Sequence, residues 1–169
     1  MACFGIDADV ANNTKIIKNK FIPISQRYNA SVLYTFFKYK NKTAKFSSKE
    51  QNQHGKFATI AVANGMFYGN GYKIAPNSKY DDGLLDVYYV QDFKKHELLS
   101  LILKIKKGKH ETLEQVKKFK TKEISIQLEE DTVCNIDGEE IKDKKFSIKL
   151  IPNAITLYNN QDLVNKILE

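Results

Sequence analysis

The sequence predicts an α+β fold that is predominantly antiparallel β, a two-sheet β-sandwich with two or three peripheral helices. Three observations predict it. Apolar residues in the last third alternate with a period of two, as in half-buried strands. Residues 57–64, FATIAVAN, are almost continuously apolar, as in a strand buried on both faces. Residues 93–107 put apolar side chains on one broad face and lysines on the other, the pattern of a surface helix. Two opposed sheets would bury their period-two faces together. A chain of 169 residues has the length of one domain. That domain is expected over residues 1–160, with residues 161–169 as a helical tail.

Taken in order, residues 4–10 are a short apolar run containing Gly5 and two aspartates, and read as a strand entering a loop. In residues 28–40, Val32, Leu33, Phe36 and Phe37 recur at helical spacing, opposite a polar face of Ser31, Thr35 and Lys38. Residues 41–56 are polar, with Ser47, Ser48, Asn52 and Gly55, the composition of an exposed loop between strands. After FATIAVAN, Gly65, Gly69, Gly71 and Pro76 interrupt regular structure until residues 84–90, LLDVYYV, a strand rich in β-formers. So long a connection is uncommon in a compact domain unless it serves a function.

The helix of residues 93–107 stops at Gly108, and residues 111–119 suggest a further short helical turn. Ile124, Ile126 and Leu128, then Phe146, Ile148 and Leu150, then Ile155 and Leu157 mark an antiparallel meander. Leu163, Val164, Ile167 and Leu168 return to helical spacing in the tail.

With 42% hydrophobic and 28% charged residues, the chain can fold around a core and is not expected to be disordered. No apolar stretch approaches the ~20 residues of a membrane-spanning helix. The opening residues lack the basic and apolar regions of a secretory signal, so a cytoplasmic location is expected. Cys3 and Cys134 belong to no CxxC or Cys/His cluster; both are expected as free thiols, with no disulfide and no zinc. The formal net charge of +7 attracts phosphate-rich partners, nucleic acid or an anionic membrane, unless it is simply a solvated lysine-rich surface.

There is no P-loop, HExxH or GxSxG motif, and Gly69-Asn70-Gly71 is followed by Pro76 and not by the helix a dinucleotide site needs. Three clusters place acidic residues beside glycine, where a tight turn can aim carboxylates at one point. They are Gly5-Ile6-Asp7-Ala8, Asp81-Asp82-Gly83-Leu84-Leu85-Asp86 and Asn135-Ile136-Asp137-Gly138-Glu139. Each alone is equally a hairpin turn.

Their order carries more. GIDADV, then ANGMFYGNGYKIAPNSKYDDGLLDVYYV, then GKH, then CNIDGEEI resembles the C-terminal domain of the diacylglycerol kinase-like lipid kinase family, over nearly the whole chain. The most specific part runs from Asn64 to Asp86. The resemblance implies an N-terminal nucleotide-binding domain, a C-terminal β-sandwich and an active site between them. Only the second half is expected here, since the nucleotide half carries a Gly-Gly-Asp-Gly-Thr motif and this chain has no Gly-Gly pair.

By resemblance, Glu139 is the catalytic base and Asp137 positions it, while Asp82 and the backbone carbonyls of Lys79 and Leu84 hold a structural Mg²⁺. The implied activity is ATP-dependent phosphorylation of a lipid hydroxyl, diacylglycerol to phosphatidic acid, with a sphingoid or other lipid alcohol as the alternative. The missing half binds most of the ATP, so this half alone is expected to be inactive. The expected partners are the lipid substrate and an anionic membrane surface at the inner face, with no nucleic acid and with a homodimer left open. The rival reading is a non-catalytic basic β-sandwich module that binds anionic membrane or a protein. His110 is given no catalytic role, and Phe67, Tyr68 and Tyr72 either line a lipid crevice or pack the core.

Overall fold

The computed structural model describes residues 1–6, 8–10, 13, 23, 31, 34–35, 38–68, 71–91 and 94–156. The elements are β1 (Ala2–Gly5), β2 (Lys42–Ser47), β3 (Asn52–Ala63), β4 (Leu85–Gln91), α1 (Lys95–Lys106), a 3₁₀ turn (His110–Thr112), β5 (Val116–Thr121), β6 (Glu123–Ile136) and β7 (Glu139–Lys149). The fold is mostly antiparallel β with few helices, as expected. All seven strands are hydrogen-bonded into one sheet, in the order β1-β6-β2-β3-β4-β5 with β7 also on β6. β1 and β2 each pair with both β3 and β6, so four strands close a ring. The expected pair of separate sheets is thus replaced by one sheet that closes on itself for part of its width.

Two cores explain the apolar run in β3. Phe57, Ile60 and Val62 point into one, with Phe4, Phe46, Val87, Tyr89, Ile124 and Ile126. Ala58, Ala61 and Ala63 point into the other, with Tyr88, Val90 and the α1 residues Leu101 and Ile105. The small side chains of β3 lie on the face that receives the helix. Gly5 ends β1 with φ +89, and a Cβ there would lie 2.4 Å from the Ala58 carbonyl oxygen, so this close crossing of β1 and β3 requires glycine. At the start of α1, Glu97 Oε2 accepts the Lys94 N–H at 3.1 Å. Gly108, φ +65, donates to the Ile105 carbonyl and Lys109 to that of Lys104, the expected glycine stop.

Several expectations change. Residues 4–10 are not one strand, because β1 ends at Gly5 and Ile6, Ala8, Asp9 and Val10 are helical. Ser31, Tyr34, Thr35 and Lys38 are helical, but Ser31 and Thr35 are buried, not on an exposed polar face. Thr35 Oγ1 donates to the Ser31 carbonyl and accepts from Asn13 Nδ2, each at 2.7 Å, which offsets the loss of water. Val32, Leu33, Phe36 and Phe37 lie outside the described residues. The presumed loop of residues 41–56 contains β2 and the start of β3, a hairpin in which Ala44 and Phe46 face the core and polar neighbours face out. The helical reading of residues 111–119 gives way to the 3₁₀ turn and β5. Ile155 lies outside any strand and is 80% exposed, while Leu157 and the tail lie outside the described residues.

Candidate functional site

The Asp137-Gly138 turn joins β6 to β7, with Ile136 and Glu139 as the last paired residues. Asp137 has φ 49 and Gly138 φ 102, and positive φ at both central positions makes a tight two-residue hairpin that matches the sheet's twist. The buried Asn135 fixes the turn from inside. Its Oδ1 accepts the Gly138 N–H at 3.0 Å and the Tyr68 hydroxyl at 2.5 Å, while its buried Nδ2 has no partner among the described residues. Asp137 Oδ1 lies 2.7 Å from the Met1 amino group, and its N–H donates to the Met1 carbonyl. Glu139, first in β7, is exposed. Asp137 and Glu139 stand out in the sequence, whereas the supporting role of Asn135 and Tyr68 emerges only from the fold. Asn135 was legible only as a polar residue beside Cys134 in a strand.

The second acidic turn, residues 80–83, lies before β4. Asp82 Oδ1 accepts the Leu84 N–H at 3.0 Å, and Oδ2 accepts from Lys120 Nζ at 2.5 Å. Lys120 lies on β5 opposite the buried Asp86 of β4, whose Oδ2 is 3.6 Å away. The Lys120 hydrogen bond holds the Asp82 carboxyl below the usual carboxylate range, and Asp82 in turn raises Lys120. Among the described residues no three His, Cys, Asp or Glu side chains gather as a metal centre. The oxygens of the Asp82 turn suit a hard cation chemically, and the half-exposed Lys120 ammonium is the group such a cation would replace. Lys79, Asp82 and Leu84 therefore share one turn and Asp137 and Glu139 another. Both turns lie at the same end of the sheet, with β1 and β3 between their strands.

His110 is buried, and its Nε2 lies 2.9 Å from the Ile74 carbonyl; burial lowers its basicity. The bond ties the 3₁₀ turn to the segment before β4. Tyr68 and Tyr72 pack against the helix-side core, whereas Phe67 is 53% exposed with Lys73 Nζ 5.4 Å from its ring centre. Cys3 and Cys134 are buried and are not joined in a disulfide, and burial pushes the Cys134 thiol up to about 12. No helix of the described residues is long and apolar enough to cross a membrane.

A cleft of about 560 Å³ is lined by Asp9, Asn13, Thr35, Lys42 and the β6 bulge at Glu129 and Asp131. Burial raises Asp9, while Lys42, 3.6 Å away, partly offsets the effect. Sequence reasoning stopped at Asp7, which lies outside the described residues, and passed over Asp9 in the same GIDADV run.

The family model of the YegS C-terminal NAD kinase beta sandwich-like domain matches residues 1–159. A protein of Stenotrophomonas maltophilia (strain K279a), named "Probable lipid kinase YegS-like", is 27% identical over 69% of this chain and 38% of its own length. A protein of the same name from Pseudomonas aeruginosa (strain UCBPP-PA14) is 22% identical over 94% of this chain and 51% of its own. The chain thus spans about half the length of the second, longer match, or less. A solved structure of a candidate diacylglycerol kinase from Bacillus anthracis str. Sterne shares the fold, with a TM-score of 0.63 at 23% identity. It covers 89% of this chain and 49% of that one.

Proposed function

The chain belongs to the YegS C-terminal NAD kinase beta sandwich-like domain family, and on that premise we propose that it is the C-terminal half of an ATP-dependent lipid kinase. Its substrate is a lipid hydroxyl, diacylglycerol in the first instance. Residues 1–160 supply the base and part of the lipid site, and a nucleotide-binding half supplies most of the ATP site. The observation that supports this reading is the Asp137-Gly138 hairpin, which presents the exposed Glu139 at the end of a rigid ladder.

A lipid hydroxyl is a poor nucleophile at neutral pH. In this reading the Glu139 carboxylate accepts its proton as the new bond to the γ-phosphoryl group forms, while Asp137 orients the turn. Asn135 and Tyr68 act one step behind, limiting how far the hairpin can shift. Magnesium at Asp82, with the Lys79 and Leu84 carbonyls, would supply positive charge and rigidity to the loop before β4. Tyr68 binds Asn135 behind the hairpin, and with its bridge partner Tyr72 and its neighbour Phe67 it would offer an apolar edge to the lipid.

The test uses the complete enzyme. Glu139→Gln keeps shape and hydrogen bonding but cannot take a proton, so kcat for transfer from ATP to diacylglycerol should fall ~10²–10⁴-fold, with ATP affinity little changed. Wild-type turnover under conditions where chemistry limits the rate would remove Glu139 as the base. The isolated half should transfer nothing. The second reading, a non-catalytic basic module, draws on the +7 charge; it has no need of a carboxylate at position 139 and predicts no effect of the substitution.

A further inference from the structure

We infer that the loop carrying Met66 and Phe67, together with the C-terminal end of α1, forms the surface by which this domain docks on an anionic bilayer. The inference deepens the lipid-kinase reading and rests on it for the choice of a membrane as partner. Met66 is 40% exposed, Phe67 53% and Leu103 59%; Tyr80, Ile141, Ile151 and Ile155 are exposed elsewhere, and what distinguishes these three is the fastening of loop to helix end and the cations around them. The loop is fastened to the helix end. The Lys73 stem packs beside Gly108 and Pro76, so that a Cβ on Gly108 would lie 3.1 Å from Lys73 Cδ. His110 binds the Ile74 carbonyl, and Ala75 N–H donates to the carbonyl of Met66.

The cations are arranged around these apolar groups. Lys107 and Lys109 flank Gly108, and Lys106 and Lys107 share the exposed face of Leu103 one turn on. Lys73, Lys106, Lys107 and Lys109 are exposed and make no ion pair among the described residues. Glu111, the nearby acid, is engaged by Lys118, Tyr88 and Asn77. A soluble phosphate or a nucleic acid would use the lysines and leave Met66, Phe67 and Leu103 in water. A bilayer rewards both, since phosphates attract the ammonium groups while the apolar side chains enter the headgroup boundary. The position suits the proposed chemistry, because Tyr68, next to Phe67, is hydrogen-bonded to Asn135 beneath the Glu139 hairpin.

The sequence contains no tryptophan, so Phe67→Trp introduces a single indole, excited selectively over the tyrosines, at a half-exposed position. With mixed phosphatidylglycerol and phosphatidylcholine vesicles the indole emission should shift to the blue and the protein should sediment. With phosphatidylcholine alone neither should happen. Lys107→Gln and Lys109→Gln should each weaken partitioning about fivefold. The pair Lys45→Gln and Lys145→Gln, on a cross-strand row toward the opposite end of β6, should leave it unchanged.

Equal binding to both vesicle types, sedimentation without a blue shift, or equal sensitivity to the Lys45 and Lys145 pair would overturn the inference. So would a blue shift that grows with protein concentration without vesicles, which would assign the patch to a second copy of the chain. Sedimentation of the unsubstituted protein repeats the test without any change at position 67. No ATP is present, so this outcome is read separately from the Glu139→Gln result that decides the kinase reading.

Discussion

The two acidic turns at one end of the sheet contain similar residues and are built in different ways. The Asp137-Gly138 turn takes its shape from the β6–β7 ladder, from positive φ at both central residues and from the neutral Asn135 side chain. The Asp82-Gly83 turn has no ladder across it. Its carboxylate is fixed by one backbone N–H and by the Lys120 ammonium. In the first turn, backbone geometry and the neutral Asn135 fix the shape, the Met1 ammonium pairs with Asp137, and the Glu139 carboxylate is left to project from the hairpin. Charge pairing gives a turn whose own carboxylate is already occupied and whose shape depends on the cation present.

The largest stability effect should come from removing the neutral support. Asn135→Ala leaves the Gly138 N–H and the Tyr68 hydroxyl without their acceptor, at a cost of about 1–3 kcal/mol, and should speed hydrogen exchange at Gly138. Denaturant melts of Asn135→Ala and Tyr68→Phe, read beside exchange rates, test it. If the amide of Gly138 stays equally protected in both, the ladder alone fixes the hairpin.

A smaller effect is expected at the other turn. Asp82→Ala should abolish any rise in melting temperature on adding Mg²⁺, whereas the wild-type protein should show one. Identical magnesium responses would reduce Asp82 to an ordinary turn residue.

The smallest effect distinguishes the turns by pH and salt. Asp82 is depressed in the folded state, so its contribution is present above the unfolded carboxylate range of about 4 and is lost as pH falls through the lower folded value. Lys120 is raised, so its contribution is present below its unfolded range of about 10.4 and is lost as pH climbs through the folded value. Lys120→Met should flatten both limbs of the melting temperature against pH, by well under about 1 kcal/mol for so exposed a pair. It should also reduce the sensitivity to added salt. An unchanged acid limb would show that Lys120 does not fix Asp82.

The same contrast shows how much could be read from the sequence. The Asp137-Gly138 turn was legible because Asp-Gly between alternating runs is a strong local hairpin signal, and Gly108 was legible because a helix stop is also local. The roles of Asn135 and Lys120 were not, since Asn135 also binds Tyr68 and Lys120 binds Asp82, partners far along the chain that no local pattern encodes. FATIAVAN announced a strand buried twice, but not that the second layer would be one sheet closing on itself. Ser31 and Thr35 misled because a polar helix face reads as solvent-facing, whereas here both are buried and the Thr35 hydroxyl is satisfied by Asn13 and the Ser31 carbonyl. The β2 hairpin was hidden by its outward serines and lysines, although Ala44 and Phe46 carried the period of two.

The closed ring has a consequence for the order of assembly. β1 is synthesised first, yet it sits between β3 and β6, and Phe4 faces Cys134 across the second of these ladders. During translation β1 can dock on residues 59–62 as soon as β3 exists, but its other edge stays open until residues 134–136 leave the ribosome. Contacts so distant in sequence slow folding, and an unpaired apolar edge is a template for wrong partners. The closure of the ring therefore leaves one edge of β1 open to wrong partners from the synthesis of β3 until that of the end of β6.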